Sequence, residues 1–166
     1  MDLLDRLLEH DRWTTRRVLA ICCTLPPHQL LQPFDVGPGS LVATLRHLIA
    51  NIQVWTDLMR EEGVRAVDPI RSAPIVELAA LFESIYAEFA ACARAARDEG
   101  RLDATYLDTL DNPPRAKSFG GTIAHVLMHD MHHRAELLHM LGKLGVADLP
   151  EGDVLGWEAQ ARGEQQ

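Results

Sequence analysis

The sequence predicts an all-α protein, a four-helix bundle with an irregular crossover before the last helix. The 166-residue chain is 47% hydrophobic but only 5% aromatic, a composition that favours close-packed helices over a sheet. Four segments carry apolar residues at helical spacing, and proline or glycine separates them. Residues 1–166 are enough for one substantial core and short for two, so we expect a single domain with a C-terminal tail at about residues 146–166.

The charge of the chain argues against two classes of partner. A net charge of −8 and a pI near 5.4 disfavour nonspecific binding to nucleic acid or to an anionic membrane. The N-terminus is charged within two residues, so we expect no signal peptide, and no apolar run is long enough to span a bilayer. Three cysteines form no disulfide framework. These features together predict a cytoplasmic protein.

The first helix is predicted from about Asp2 to Leu25, where Pro26 and Pro27 stop it. His10 lies at the edge of its apolar stripe, and we interpret it as a buried, hydrogen-bonded histidine or a pocket wall rather than a ligand. The stripe itself consists of Leu4, Leu8, Val18, Cys22 and Leu25.

The second helix is predicted from Leu41 to Glu62, with Ser40 as its N-cap. His47 lies next to the apolar seam of this helix, one position before Leu48. An unpaired buried polar group is costly, so we expect His47 either to be hydrogen-bonded or to bind a metal. The seam has heptad-like spacing and comprises Leu41, Leu45, Leu48, Ile52, Trp55 and Met59.

The third helix is predicted to start at Ser72 and Pro74, after a connection over residues 64–73, and to end at Gly100. Residues 101–119 carry no helical stripe, and their threonines and prolines predict the irregular, partly extended crossover. After the fourth helix, we expect Trp157 in the tail to pack back on the bundle. The stripe of the third helix is Leu78, Phe82, Ile85, Phe89, Cys92 and Ala96.

The fourth helix, from about Gly120 to Leu144, holds five of the eight histidines. Four residues turn an α-helix by about 400° and raise it about 6 Å, so His129 and His133 can direct both imidazoles at one point. Two imidazoles at that spacing are the helical half of a metal site, and His47 is then the obvious third ligand. The alternative is a solvated His-rich face, or one core histidine with surface neighbours.

Two familiar metal-site patterns do not fit the sequence. A ferritin-like site needs Glu-x-x-His on two helices, and only Glu136 with His139 has this spacing. A zincin needs a glutamate directly after its first histidine, whereas Asp130 follows His129.

Three features of the sequence occur together: Trp13, Ser40-Leu41-x-x-Thr44-Leu45-x-His47 followed by Trp55, and His129-x-x-x-His133-Arg134 with the leucine-rich turn up to Gly145. Over nearly the whole chain, these motifs resemble those of the DinB-like (YfiT-like) metal-binding four-helix bundles. The resemblance implies a metal triad of His47, His129 and His133. This chain has Ala135 and Glu136 where the family has glycine and glutamine, so a carboxylate lies about one turn from His133.

The resemblance also implies a reaction. Relatives activate a low-molecular-weight thiol (bacillithiol, mycothiol or glutathione) and transfer it to an electrophile or use it for isomerisation. Three neutral imidazoles leave an open position on a metal, where a thiolate is stabilised at neutral pH. Zn²⁺ suits this ligand set, and Ni²⁺, Co²⁺ or Fe²⁺ also fit it. We expect a metal-dependent thiol transferase and, by the resemblance, a homodimer. A non-catalytic metal-binding or stress-related interaction module and a metal-dependent hydrolase remain open alternatives.

The other polar residues of the fourth helix receive individual roles. Glu136 is a candidate catalytic residue that orients a ligand or moves a proton, with a solvent-exposed or structural role as the alternative. Arg134 is either a salt-bridge partner or an anion anchor for the thiol cofactor. His125, one turn before the histidine pair, is expected to line the mouth of the pocket and to contact that cofactor. His132 and His139 are expected at the surface or at an interface.

Overall fold

The computed structural model describes residues 1–150 and 152–163. Two of the long helices, α1 and α3, lie at opposite corners of a bundle, and each packs against both of the others, α5 and α6. The predicted all-α bundle is therefore confirmed. The four long helices are α1 (Leu3–Thr24), α3 (Leu41–Arg60), α5 (Ile75–Asp98) and α6 (Phe119–Lys143).

The ends of the long helices lie within about two residues of the predicted positions, because local capping signals set them. The side chain of Ser40 accepts a hydrogen bond from the Ala43 N–H at 3.2 Å, which confirms the predicted cap of α3. Ser118 caps α6 in the same way. At its other end α3 stops at Glu61, whose φ of 57° is left-handed.

The apolar stripes of the four helices meet in one core. Trp55 is only half-buried, because it lies where the seam of α3 reaches the edge of the bundle. Burying a leucine-sized side chain stabilises the fold by about 1.5–3 kcal/mol, so many such residues together hold the helices. The buried core includes Leu8, Val18, Leu45, Leu48, Ile52, Phe82, Phe89, Val126, Leu137 and Met140.

Two connections contain short helices that the sequence analysis did not predict. Helix α2 (Pro27–Leu30) follows α1, and α4 (Asp68–Ser72) precedes α5. The prediction that Ser72 starts the third helix is wrong, since Ser72 ends α4 and Pro74 occupies the N-cap position of α5. Pro69 lies in the first turn of α4, where proline fits a helix without loss of a hydrogen bond.

The crossover before α6 is a β-hairpin, more regular than the partly extended crossover that we predicted. Strand β1 (Thr105–Asp108) pairs antiparallel with β2 (Arg115–Ser118), and Leu107 lies opposite Ala116. The hydroxyl groups of Tyr106 and Thr122 are 2.7 Å apart, which ties the hairpin to the first turn of α6.

The C-terminal tail forms α7 (Val154–Ala161), which packs against α1. Trp157 is buried there, as predicted. His10 Nε2–H donates a hydrogen bond to the carbonyl of Gly152 at 2.7 Å, so His10 is the buried, hydrogen-bonded histidine that the sequence predicted. Within the tail, Glu151 and residues 164–166 lie outside the described residues.

Candidate metal centre

Three histidines converge where α3 packs against α6. His129 and His133 lie one turn apart on α6, and their Nε2 atoms are 3.1 Å apart. His47 on α3 brings its own Nε2 to 3.2 Å from that of His129. The three ligand atoms all lie within 4.8 Å of one another. The structure thus brings together the three histidines that the sequence analysis proposed as metal ligands.

The nitrogen spacing fits a divalent metal ion. In a tetrahedral site, Zn–N bonds of about 2.0 Å separate neighbouring nitrogens by about 3.3 Å. The two Nε2···Nε2 distances of 3.1 and 3.2 Å are close to that value. Only imidazole nitrogens face one another here, and imidazole is a good ligand for Zn²⁺, Ni²⁺, Co²⁺ and Fe²⁺. The cluster can therefore hold a metal ion.

The cluster opens to solvent at His47, which corrects the interpretation of His47 as a buried residue beside the apolar seam. His47 is exposed, His129 is partly buried, and His133 is 7% exposed. Successive side chains of an α-helix point about 100° apart around the helix axis. His47 therefore turns away from the core although Leu48 beside it is fully buried.

The surroundings of the cluster favour neutral imidazoles. Burial lowers the pKa of His47, and the neighbouring His133 ring lowers it further. Burial and the other histidines lower the pKa of His129 to about 4. These two rings are therefore neutral at pH 7, and a histidine must be neutral to coordinate a metal.

Glu136 contacts His133 on the edge of the ring opposite the cluster. His133 Nδ1–H donates to Glu136 Oε2 at 2.7 Å, which leaves the Nε2 lone pair for a metal. The exposed His132 lies 3.1 Å from the other carboxylate oxygen. Gly37, with φ +50°, packs on the same carboxylate, and a Cβ there would lie 2.1 Å from Oε2. The loop before α3 thus holds Glu136 in place.

His129 is held by an amide that the sequence analysis did not assign to the site. The Nδ2 atom of Asn51 lies 3.2 Å from His129 Nδ1, and Trp55 Nε1–H donates to Asn51 Oδ1 at 3.0 Å. Asn51 is four residues after His47, so it lies on the same face of α3. That spacing is the signal by which the sequence could have identified it.

The remaining histidines of α6 lie where the sequence analysis expected them. His125 is exposed at the edge of the site, with its ring centroid 5.7 Å from that of His129 and 5.2 Å from that of Trp55. His132 and His139 are both exposed. His132 nevertheless takes part in the site indirectly, through its contact with Glu136.

Arg134 forms a buried ion pair on the other side of α6. Its guanidinium donates to Asp11 and, at 3.3 Å, to the hydroxyl of Thr15, and the residue is 4% exposed. This is the salt-bridge alternative of the sequence analysis, and an anion-anchoring role would require the pair to open. Burial raises the pKa of Asp11 and of the neighbouring Asp130.

The fold and the site together define a helical bundle that carries a surface cluster of three histidines suited to a divalent metal. The sequence profile of the DinB superfamily matches residues 10–137 of this chain, which is well over half of its length. The chain therefore belongs to the DinB superfamily. A comparison with curated proteins finds no match. None of the helices in the described part of the chain combines the length and the hydropathy needed to cross a membrane.

Proposed function

We propose that this protein is a metal-dependent transferase that activates a low-molecular-weight thiol and passes it to a small electrophile. The observation that carries the proposal is the convergence of three imidazole Nε2 atoms, with spacings of 3.1 and 3.2 Å. The thiol, of the bacillithiol, mycothiol or glutathione type, rests on the resemblance to the DinB-like family. We also propose a cytoplasmic location, where such thiols are kept reduced.

Each residue of the site has a role in this proposal. His47, His129 and His133 would hold one divalent ion, Zn²⁺ by preference, with Ni²⁺, Co²⁺ or Fe²⁺ also suited to the nitrogen donors. The bound ion would supply a Lewis-acid position at which the pKa of a thiol is lowered. Because His47 is exposed, a thiol can approach from solvent. Glu136 fixes the tautomer and orientation of His133 through the 2.7 Å hydrogen bond to Nδ1.

The position of Glu136 favours thiol transfer over hydrolysis. A general base must come within about 2.6–3.2 Å of the proton that it takes, directly or through one water. Glu136 instead contacts Nδ1 of His133, on the opposite edge of the ring from the Nε2 cluster. This geometry supports the ligand-orienting role of Glu136 rather than the proton-transfer role that a hydrolase would need.

Turnover with each thiol tests the proposal. Metal-loaded protein should transfer at least one of bacillithiol, mycothiol and glutathione to an electrophile such as chlorodinitrobenzene. The sulfur–carbon bond forms, chloride leaves, and the thiol proton goes to solvent. His47→Ala should abolish turnover, while His139→Ala, which changes an exposed histidine of the same helix, should retain it. A metal-loaded protein that is inert towards all three thiols would contradict the proposal and favour a non-catalytic metal-binding module.

A further inference from the structure

A groove of about 480 Å³ opens beside the histidine cluster. Its walls are Trp55 on α3, Thr122 and His125 on α6, and residues 116–118 at the end of β2. Ligand sites in proteins commonly measure about 300–1,000 Å³, so the groove is large enough for a small organic molecule.

The groove and the cluster share contacts. His125 forms part of the groove wall, and its ring centroid lies 5.7 Å from that of His129. Trp55 forms another part, and Asn51 links its indole nitrogen to His129 Nδ1 through contacts of 3.0 and 3.2 Å. A molecule in the groove therefore lies next to the ligands of the proposed metal ion.

The two aromatic walls give the groove a preference for flat, apolar molecules. The rings of Trp55 and His125 are 5.2 Å apart and inclined by 71°, so they form two sides of a corner. The hydroxyl of Thr122 is already paired with that of Tyr106 at 2.7 Å. A planar ring can stack on one aromatic wall and meet the edge of the other.

The described residues of the groove wall offer no free cation to an anionic ligand. Among these lining residues, Lys117 is the only lysine or arginine. Its ammonium group lies 2.9 Å from a carboxylate oxygen of Asp111 and 3.8 Å from one of Asp108, so it is already paired. A carboxylate-bearing ligand would lose hydration on entering the groove without gaining an ion pair with Lys117, whereas an uncharged ligand needs no such partner.

We propose that this groove binds the electrophile, and that the electrophile is an uncharged aromatic molecule. This inference rests on the proposed function, because it places the electrophile beside the site where the thiol is activated. In the transfer, the thiolate sulfur attacks an electron-poor carbon of the ring held in the groove. The new carbon–sulfur bond replaces the bond to the leaving group, which departs as an anion, and the thiol proton goes to solvent.

Binding of an unreactive nitroaromatic tests the groove without any thiol. In metal-loaded protein, dinitrotoluene should quench tryptophan fluorescence saturably. Trp55→Phe should remove most of this quenching, while Trp13→Phe, at a tryptophan outside the groove, should retain it. Dinitrobenzoate, which has the same ring and a carboxylate, should bind at least about tenfold more weakly, a difference of one decade in Kd.

A filled groove provides the second arm of the experiment. Ala116 is exposed on β2 and lines the groove, so Ala116→Phe should fold and weaken dinitrotoluene binding by about tenfold or more. Arg115→Phe, at the neighbouring exposed position outside the groove, is the matched control and should bind as the parent does. Metal content should be the same in all three proteins.

The inference would be overturned if dinitrobenzoate bound as tightly as dinitrotoluene, or if Ala116→Phe bound dinitrotoluene as the parent does. The outcome is separate from that of the thiol assay, because no turnover is required. Groove binding in a protein inert towards all three thiols would overturn the proposed function and the role of the ligand as an electrophile. Turnover without binding of dinitrotoluene in the groove would overturn only the proposal that the groove binds the electrophile.

Discussion

Glu136 stands where the family pattern has a glutamine, and its carboxylate contacts His133 at 2.7 Å and His132 at 3.1 Å. A carboxylate partner makes a histidine a more basic metal ligand than a neutral amide does. The close packing of Gly37 on the carboxylate keeps this partner in position. Glu136 is thus a residue through which this chain would tune the candidate metal ligand His133.

Glu136→Gln should therefore weaken metal affinity by about tenfold, at the lower end of the ~10–100-fold effect of losing such a partner. The amide still accepts a hydrogen bond from His133 but carries no charge. Competition with a chromogenic chelator measures the affinity. His139→Gln, at an exposed position of α6 away from the cluster, is the control and should leave it unchanged. Equal affinity in the parent and in Glu136→Gln would show that the carboxylate charge has no effect.

Arg134 supports the fold from the opposite side of α6. Arg134→Met should lower the free energy of unfolding by about 3–5 kcal/mol, because it leaves the Asp11 carboxylate buried without its partner. Urea denaturation measures the change. Arg60→Met, which removes an exposed arginine from its ion pairs with Glu62 and Glu88, should cost less than about 1 kcal/mol. A similar small cost at Arg134 would contradict a structural role for the buried pair.

At the scale of elements, α3 joins the core to the candidate metal site. It carries His47 and Asn51 on its outer face and the buried residues Leu45, Leu48 and Ile52 on its inner face. The orientation of the outer face therefore depends on how the inner face packs and on where the helix begins. Its first turn is fixed by Ser40.

Ser40→Ala should lower the free energy of unfolding by about 1 kcal/mol, because the Ala43 N–H loses its acceptor. Thermal denaturation followed by circular dichroism measures the change. Ser40→Asp, which keeps an acceptor at the cap, is the matched variant and should retain most of the stability. If Ser40→Ala and Ser40→Asp lost equal stability, the cap would not be the cause.

The long helices were predictable because a period of 3.6 residues repeats over 20 to 25 positions and capping residues mark the ends. The hairpin was not, since each strand has only four residues and RAKS has no alternating pattern. The histidine triad came from the spacing on α6 and from the family pattern. The surface location of His47 was not predictable from the sequence. A residue beside the apolar seam can face either the core or the solvent, and the packing of the neighbouring helix decides which.

The whole bundle should fold without metal. Its apolar core spans all four long helices, whereas the histidine cluster lies at the surface between two of them. Chelation should lower the Tm, because an ion that binds only the folded state stabilises it. Most of the helical circular dichroism at room temperature should remain. Loss of helix on chelation would contradict this prediction and would make the metal a structural one.

The acid stability of the metal-free protein should reflect its buried histidines. His10 and His129 have a folded-state pKa below that of a free histidine, mainly because of burial. At these two histidines the unfolded chain then binds more protons, so they contribute a fall in the free energy of unfolding as the pH falls from about 6.5 towards 4, while the raised pKa of Asp11 and Asp130 contributes with the opposite sign. Urea denaturation across this range measures the slope. His10→Gln should reduce it, and an unchanged slope would exclude His10 as a contributor.

Metal affinity in single-histidine variants tests the central claim most directly, because the claim is that His47, His129 and His133 hold one divalent ion. Titration of the metal-free parent with Zn²⁺ should give one site per chain, and His139→Ala should match it. Removing a hydrogen-bond partner of a metal ligand lowers metal affinity by ~10–100-fold. His47→Ala removes one of the three ligands itself, so its Zn²⁺ affinity should fall by more than that. Zn²⁺ binding by His47→Ala as tight as that of the parent would contradict the three-histidine site.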